Sequence, residues 1–236
     1  MEKRHIVTSF DQDLESIQAR IVKMGGLVEA AINDSANSLE TGDIELAQKV
    51  RASDAAIDQL EREVVHDSAQ VIALRAPTAI DLRIVLCAMK VAGNLERAGD
   101  YAKNIAKRTT LLADMRSTNE SHASLRRMTR AVRLMLTDAL DAFVQRDVEL
   151  AKDVIQRDFE VDQMYNSLFR ELLTFMLEDP QNITGSMHLH FIAKNIERIG
   201  DHITAICEQV VYLVEGEIPD EEREKGDLTS VQPLEG

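Results

Sequence analysis

Eight carboxylates in this 236-residue chain fall into four pairs: Asp54 with Asp58, Glu96 with Asp100, Asp158 with Asp162, and Glu197 with Asp201. In each pair the two residues are four apart, so on a helix they stand one above the other on a single face. Asp54 continues an apolar stripe through Val50 and Ile57, and Glu96 and Asp100 continue one through Leu86, Met89 and Gly93. Carboxylates on a packing stripe repel one another and are costly to desolvate. Three resolutions are open: protonation, pairing with Arg62, Arg97 or Arg198, or a bound cation. Four carboxylates from two antiparallel helices present hard oxygens suited to a divalent or iron-type ion such as Mg, Mn, Fe or Zn.

An oxygen-activating di-iron enzyme is the catalytic rival. Such sites take Glu-x-x-His motifs from two helices, and here only Glu63-x-x-His66 falls within a predicted helix, Glu2-x-x-His5 lying outside one. His190 and His202 read as ordinary helix or interface histidines, with His202 a possible outer ligand beside Asp201. The chain has no phosphate-binding G-x-x-x-x-G-K-[ST] loop, no dinucleotide fingerprint and no G-x-S-x-G elbow. A purely structural helical scaffold is the third reading. Gly93, Gly99 and Gly200 read as close helix contacts.

Helices must position these groups. Leu14, Ile17, Ile21, Met24, Val28 and Ala31 recur at three- and four-residue steps, predicting a helix to about Glu40. Thr41-Gly42-Asp43 breaks it, with Asp43 as N-cap of a second helix reaching about Leu74. Arg75-Ala76-Pro77-Thr78 is the next break, since proline disfavours helix at the residue before it. Thr78 is the expected cap of a third helix with Leu82, Leu86, Met89 and Gly93 on one stripe. The pattern then restarts: Leu125 to Ala142, a break at Gln145-Arg146-Asp147, Ala151 to Leu172, a break at Glu178-Asp179-Pro180, and Ile192 to Val210.

The two halves are an internal repeat. LETGDIELAQKV (39–50) matches AFVQRDVELAKDV (142–154), and NLERAGDYAKNI (94–105) matches NIERIGDHITAI (195–206). The expected fold is all-α, two tandem three-helix bundles of six long helices. The bundles span 8–112 and 123–215, joined by a polar linker at 113–122. The charged segment 216–236 is expected to be disordered or a tethered docking segment.

With 41 acidic and 27 basic residues the net charge is −14, which disfavours direct binding to nucleic acid or anionic lipid. Cys87 and Cys207 sit in apolar helical patterns and read as reduced core thiols. No apolar run approaches the ~18 residues of a membrane span, so a cytoplasmic protein is expected, meeting membranes only through partners.

PTAIDLRIVLCAMKVAGNLERAGDYAKNIAKR (77–108), FIAKNIERIGDHITAICE (191–208), KMGGLVEAAI (23–32) and TFMLEDPQNI (174–183) resemble the PhoU family of phosphate-specific transport regulators. The resemblance covers about residues 5–215. It implies two similar three-helix bundles side by side, often as a homodimer. It also implies negative regulation of the phosphate regulon, as a non-enzymatic adaptor linking the ATPase subunit of a phosphate ABC transporter to a sensor histidine kinase. In some members the paired carboxylates bind metal, and all eight positions hold a carboxylate here. Arg97 and Arg198 are candidate partner contacts. The copies differ just after the motif, where Asn104 stands opposite Ala205, so the two sites are expected to differ in affinity.

Overall fold

The computed structural model describes the backbone of residues 2–112 and 119–217, and side chains over 10–112 and 121–217. Six helices follow one another: α1 (Glu2–Thr41), α2 (Ile44–Arg75), α3 (Ile80–Leu112), α4 (Asn119–Gln145), α5 (Val148–Glu178) and α6 (Ile183–Glu215). A single 3-10 turn, Pro180–Asn182, precedes α6. There is no strand among the described residues.

The first three helices pack on one another, as do the last three, and α3 lies against α6 and α1 against α4. Asn94 of α3 meets His202 of α6, Arg83 meets Tyr212 and Arg108 meets His188, so α3 and α6 run antiparallel. One continuous apolar core spans both bundles, from Ile17 and Val28 through Leu95 and Val132 to Ile203 and Val210.

Local signals set the helix ends. The Asp43 carboxylate accepts from the Leu46 amide at 2.9 Å, and the Asp147 carboxylate from the Leu150 amide at 3.0 Å. The residue before each cap is left-handed: Gly42 at φ +67° and Arg146 at φ +56°. The repeat therefore extends to the turn chemistry, with arginine in the second copy where glycine is the unstrained choice. Asp179 caps the 3-10 turn through the Gln181 amide at 2.9 Å.

Four expectations need correction. First, α1 begins at Glu2, so Glu2 and His5, expected to lie outside a helix, are within it. Second, α3 starts at Ile80 after a left-handed Ala79, and it is the Thr78 backbone carbonyl that accepts from Asp81. Third, residues 119–122 of the expected linker are the first residues of α4; residues 113–118, and the tail from 218 on, lie outside the described residues.

Fourth, the buried face of α3 is not the Leu82–Leu86–Met89–Gly93 stripe. Leu86 is 40% exposed, while Val85, Ala88, Val91, Ala92, Leu95, Ala98, Ala102 and Ala106 are buried. Alanines dominate that face because α3 is crowded by α1, α2 and α6. Close helix approach selects small side chains over large ones. Glu96 and Asp100 consequently sit at the margin of the core, half-buried, rather than on its central stripe.

Candidate functional site: two carboxylate faces

In the first copy α2 supplies Asp54 and Asp58, and α3 supplies Glu96 and Asp100. Only Asp54 is buried, at 6% exposure. The group that joins the two helices is a lysine. The Lys103 ammonium donates to Asp54 and, at 3.1 Å, to Asp100. These hydrogen bonds, the one to Asp54 first, raise its pKa. Burial raises the Glu96 carboxyl, and Asp100, Asp58 and Glu61 add repulsion that the Arg97 guanidinium, 3.7 Å from Glu96, only partly offsets.

In the second copy α5 supplies Asp158 and Asp162, and α6 supplies Glu197 and Asp201. This face lies deeper: Asp158 and Asp162 are each 6% exposed and Glu197 is 5% exposed. Depth here follows from Gly200. A Cβ at that position would stand 2.7 Å from an Asp158 carboxylate oxygen and 3.8 Å from Val132 and Val161. The missing side chain lets Asp158 lie directly on the α6 backbone. Lys194 donates to Glu197 Oε1 at 2.9 Å from within the same helix. Glu197 Oε2 is buried and accepts no hydrogen bond. Burial pushes the Glu197 carboxyl above its ordinary range; Lys194 opposes this, and Asp201 and Asp162 reinforce it.

Each quartet thus gathers where two helices meet, and the carboxylates of each sense one another electrostatically. Among the described residues no three acidic, histidine or cysteine groups already converge as a metal cage. Of the three arginines expected to neutralise these acids, Arg97 pairs with Glu96 at 3.7 Å. Arg62 donates to Gln59, and Arg198 to the Tyr101 hydroxyl at 3.2 Å. Lys103 and Lys194 also pair with acids of the two faces, and the sequence reading missed both. The i, i+3 spacings of Asp100 with Lys103 and of Lys194 with Glu197 were the available signals. Glu61, which presses on Glu96, was also missed.

The remaining candidates fall outside the two faces. Glu63 is held by Arg20 at 3.3 Å and Gln59 at 3.0 Å. His190 lies against the rings of Tyr165, Phe169 and Phe191. His202 stacks on Tyr101, with Nδ1 2.9 Å from the Asn94 side-chain oxygen. Tyr101 and His202 occupy equivalent places in the repeated motif, so the two halves meet at equivalent residues, as a local two-fold axis requires. Gly99 is a close contact, its Cβ position 3.0 Å from Ile57, but Gly93 faces open space and is not. Cys87 and Cys207 are free and buried, and desolvation raises the Cys207 thiol to about 12. No described helix is long and apolar enough to cross a membrane.

A duplicated three-helix bundle with one carboxylate face per copy is the class of protein that fold and site define. The model of the PhoU domain matches the chain twice, over residues 21–109 and 125–210. The chain belongs to the PhoU family. It is 43% identical over 230 residues to the phosphate-specific transport system accessory protein PhoU homolog of Rhizobium meliloti (strain 1021), covering 98% of this chain and 97% of that one. It is 45% identical to the homolog of the same name from Zymomonas mobilis, covering 96% and 95%. The crystal structure of PhoU from Pseudomonas aeruginosa superposes with a TM-score of 0.85 at 38% identity, covering 88% of this chain and all of that one.

Proposed function

We propose that this chain is a negative regulator of the phosphate regulon and a modulator of phosphate uptake, acting as a non-enzymatic adaptor. It would contact the ATPase subunit of a phosphate ABC transporter and a sensor histidine kinase, from the cytoplasm and as a homodimer. The observation that carries this reading is the match, over nearly the whole of both chains, to proteins named as accessory to phosphate-specific transport. Arg97, with 63% of its side chain exposed, is the better placed of the two candidate arginines for a partner; Arg198 is turned onto Tyr101. Against a di-iron enzyme stands the engagement of Glu63 by Arg20 and Gln59.

Metal binding is part of the same proposal. Its support is Glu197 Oε2, a buried carboxylate oxygen without a hydrogen bond in a quartet of acids. A buried carboxylate oxygen left without a hydrogen bond is costly even when its twin is paired, and a hard cation is the chemistry that offsets it. Asp158, Asp162, Glu197 and Asp201 would hold it in the second copy, and Asp54, Asp58, Glu96 and Asp100 are the corresponding set in the first. The ion would supply positive charge that orders the two helices.

Deletion of the gene tests the regulatory reading. The expected outcome is high alkaline phosphatase reporter activity in phosphate-rich medium, restored to a low level by the intact gene. A reporter that stays repressed in the deletion strain overturns the assignment.

A further inference from the structure

Five cations line the seam between α3 and α6: Arg83, Lys90, Arg97 and Arg108 of α3, and Arg198 of α6. On α3 they recur at steps of seven, seven and eleven residues, which places them on one stripe of the helix. Asn94 and Tyr101 fill the stripe between them, and no carboxylate stands in it. The acids of the carboxylate faces are turned to the flanks, Glu96 and Asp100 toward α2 and Glu197 toward α5.

Rings and carbonyls hold these cations. Arg83 donates to the Tyr212 and Leu213 carbonyls at 3.4 Å, and its guanidinium carbon lies 5.4 Å from the centre of the Tyr212 ring. The Lys90 ammonium is 6.0 Å from the same ring, Arg108 4.6 Å from that of Phe191, and Arg198 5.7 Å from that of Tyr101. Among the described residues, Arg97 alone of the five has a carboxylate within 4 Å, Glu96 at 3.7 Å. A cation resting on a ring is oriented but keeps its charge. Lys90, Arg97 and Arg198 are exposed, so a chain with 41 acidic and 27 basic residues presents a positive stripe here.

The last helix ends at the head of this stripe. Gly216, left-handed at φ +88°, caps α6, and a Cβ there would stand 2.8 Å from Arg83 Nη1. The chain then continues into Asp220, Glu221, Glu222 and Glu224. Arg97 lies about 21 Å along α3 from Arg83 at the helical rise, and the seven residues 218–224 span up to about 25 Å when extended. We propose that the acidic segment 218–227 of the same chain lies along the α3–α6 seam, with its carboxylates against Lys90, Arg97 and Arg198. Each exposed ion pair is weak, so several must act together, and salt releases them. Arg97 and Arg198, the two arginines offered to a partner in the proposed function, are then masked until a competing acidic segment displaces the tail. That masking rests on the proposed function; the docking itself needs no partner.

The test uses the full-length protein and limited trypsin digestion, with cleavage after Arg223 and Lys225 followed by mass spectrometry. At low salt the double variant Arg97→Gln, Arg198→Gln is expected to be cut there about fivefold faster than the wild type or more. In roughly 1 M salt, where such charges are screened, the two are expected to be cut alike. Equal rates at low salt overturn the docking. A second measurement covers a double variant that loses its helical circular dichroism. In full-length Arg97→Lys, carbodiimide is expected to couple the new amine to carboxylates of 220–227 about fivefold more than it couples Lys107, which is exposed on α3 away from the stripe. Equal coupling at the two positions overturns the docking. Mixing isotope-labelled with unlabelled chains shows whether the coupled groups share a chain; coupling only between chains puts the tail on a second copy and overturns it too. The reporter measurement of the regulatory role is separate, so either reading can fail while the other stands.

Discussion

Glu197 sets the pH behaviour of the second face. Its carboxyl is raised above the ordinary value of 4.5 chiefly by burial, so the folded chain binds its proton more tightly than the unfolded chain does. Ionisation as pH rises through that range therefore costs stability, and protonation as pH falls restores it. Glu197→Gln keeps the shape and removes the charge. In metal-free buffer at neutral pH it is expected to melt at a higher temperature than the wild type. The advantage should fade as pH falls below 4.5, where the wild-type carboxyl is protonated in both states. A lower melting temperature for the variant at neutral pH would count against this account. The eight acids were legible from spacing alone, because residues four apart on a helix cannot avoid sharing a face. Their counter-cations were not. A lysine side chain is long enough to reach the next helix, and periodicity does not say which neighbour it meets.

At the scale of helices, the glycine of the repeated motif sets how closely α5 approaches α6. Gly200→Ala would place a Cβ against Asp158, a residue with little room to withdraw. The expected cost is about 1–3 kcal/mol, from strain in a packed contact. Gly93→Ala is the matched control: nothing lies within 4 Å of its Cβ position, so replacing a helical glycine there is expected to stabilise by about 0.5–1 kcal/mol. Urea unfolding of both variants checks the pair of signs. The same contrast explains what sequence reading found and missed in α3. Its start followed, to within a few residues, from Pro77, and its membership of the repeat from the shared motif. Its buried face did not, because pattern reading weights large apolar residues such as Leu86 and Met89. In a helix packed against three others, alanine and glycine occupy the tightest contacts.

At the scale of the molecule, the core does not divide where the repeat does. Buried apolar side chains of α1, α3, α4 and α6 belong to one continuous cluster. The two bundles are therefore expected to unfold together. Leu95→Ala, at a fully buried site in the first copy, should cost about 2–5 kcal/mol and shift a single calorimetric transition. Two resolved transitions, with only one of them moved, would show that the bundles fold independently. The stacked Tyr101 and His202 carry a different consequence. Were each three-helix unit a separate chain pairing with an identical copy, the residue on the dyad would have to meet its own kind: tyrosine on tyrosine, or histidine on histidine. Covalent linkage of the two units lifts that restriction. A mixed pair can settle on the axis, and each half is free to accumulate replacements that its twin need not copy.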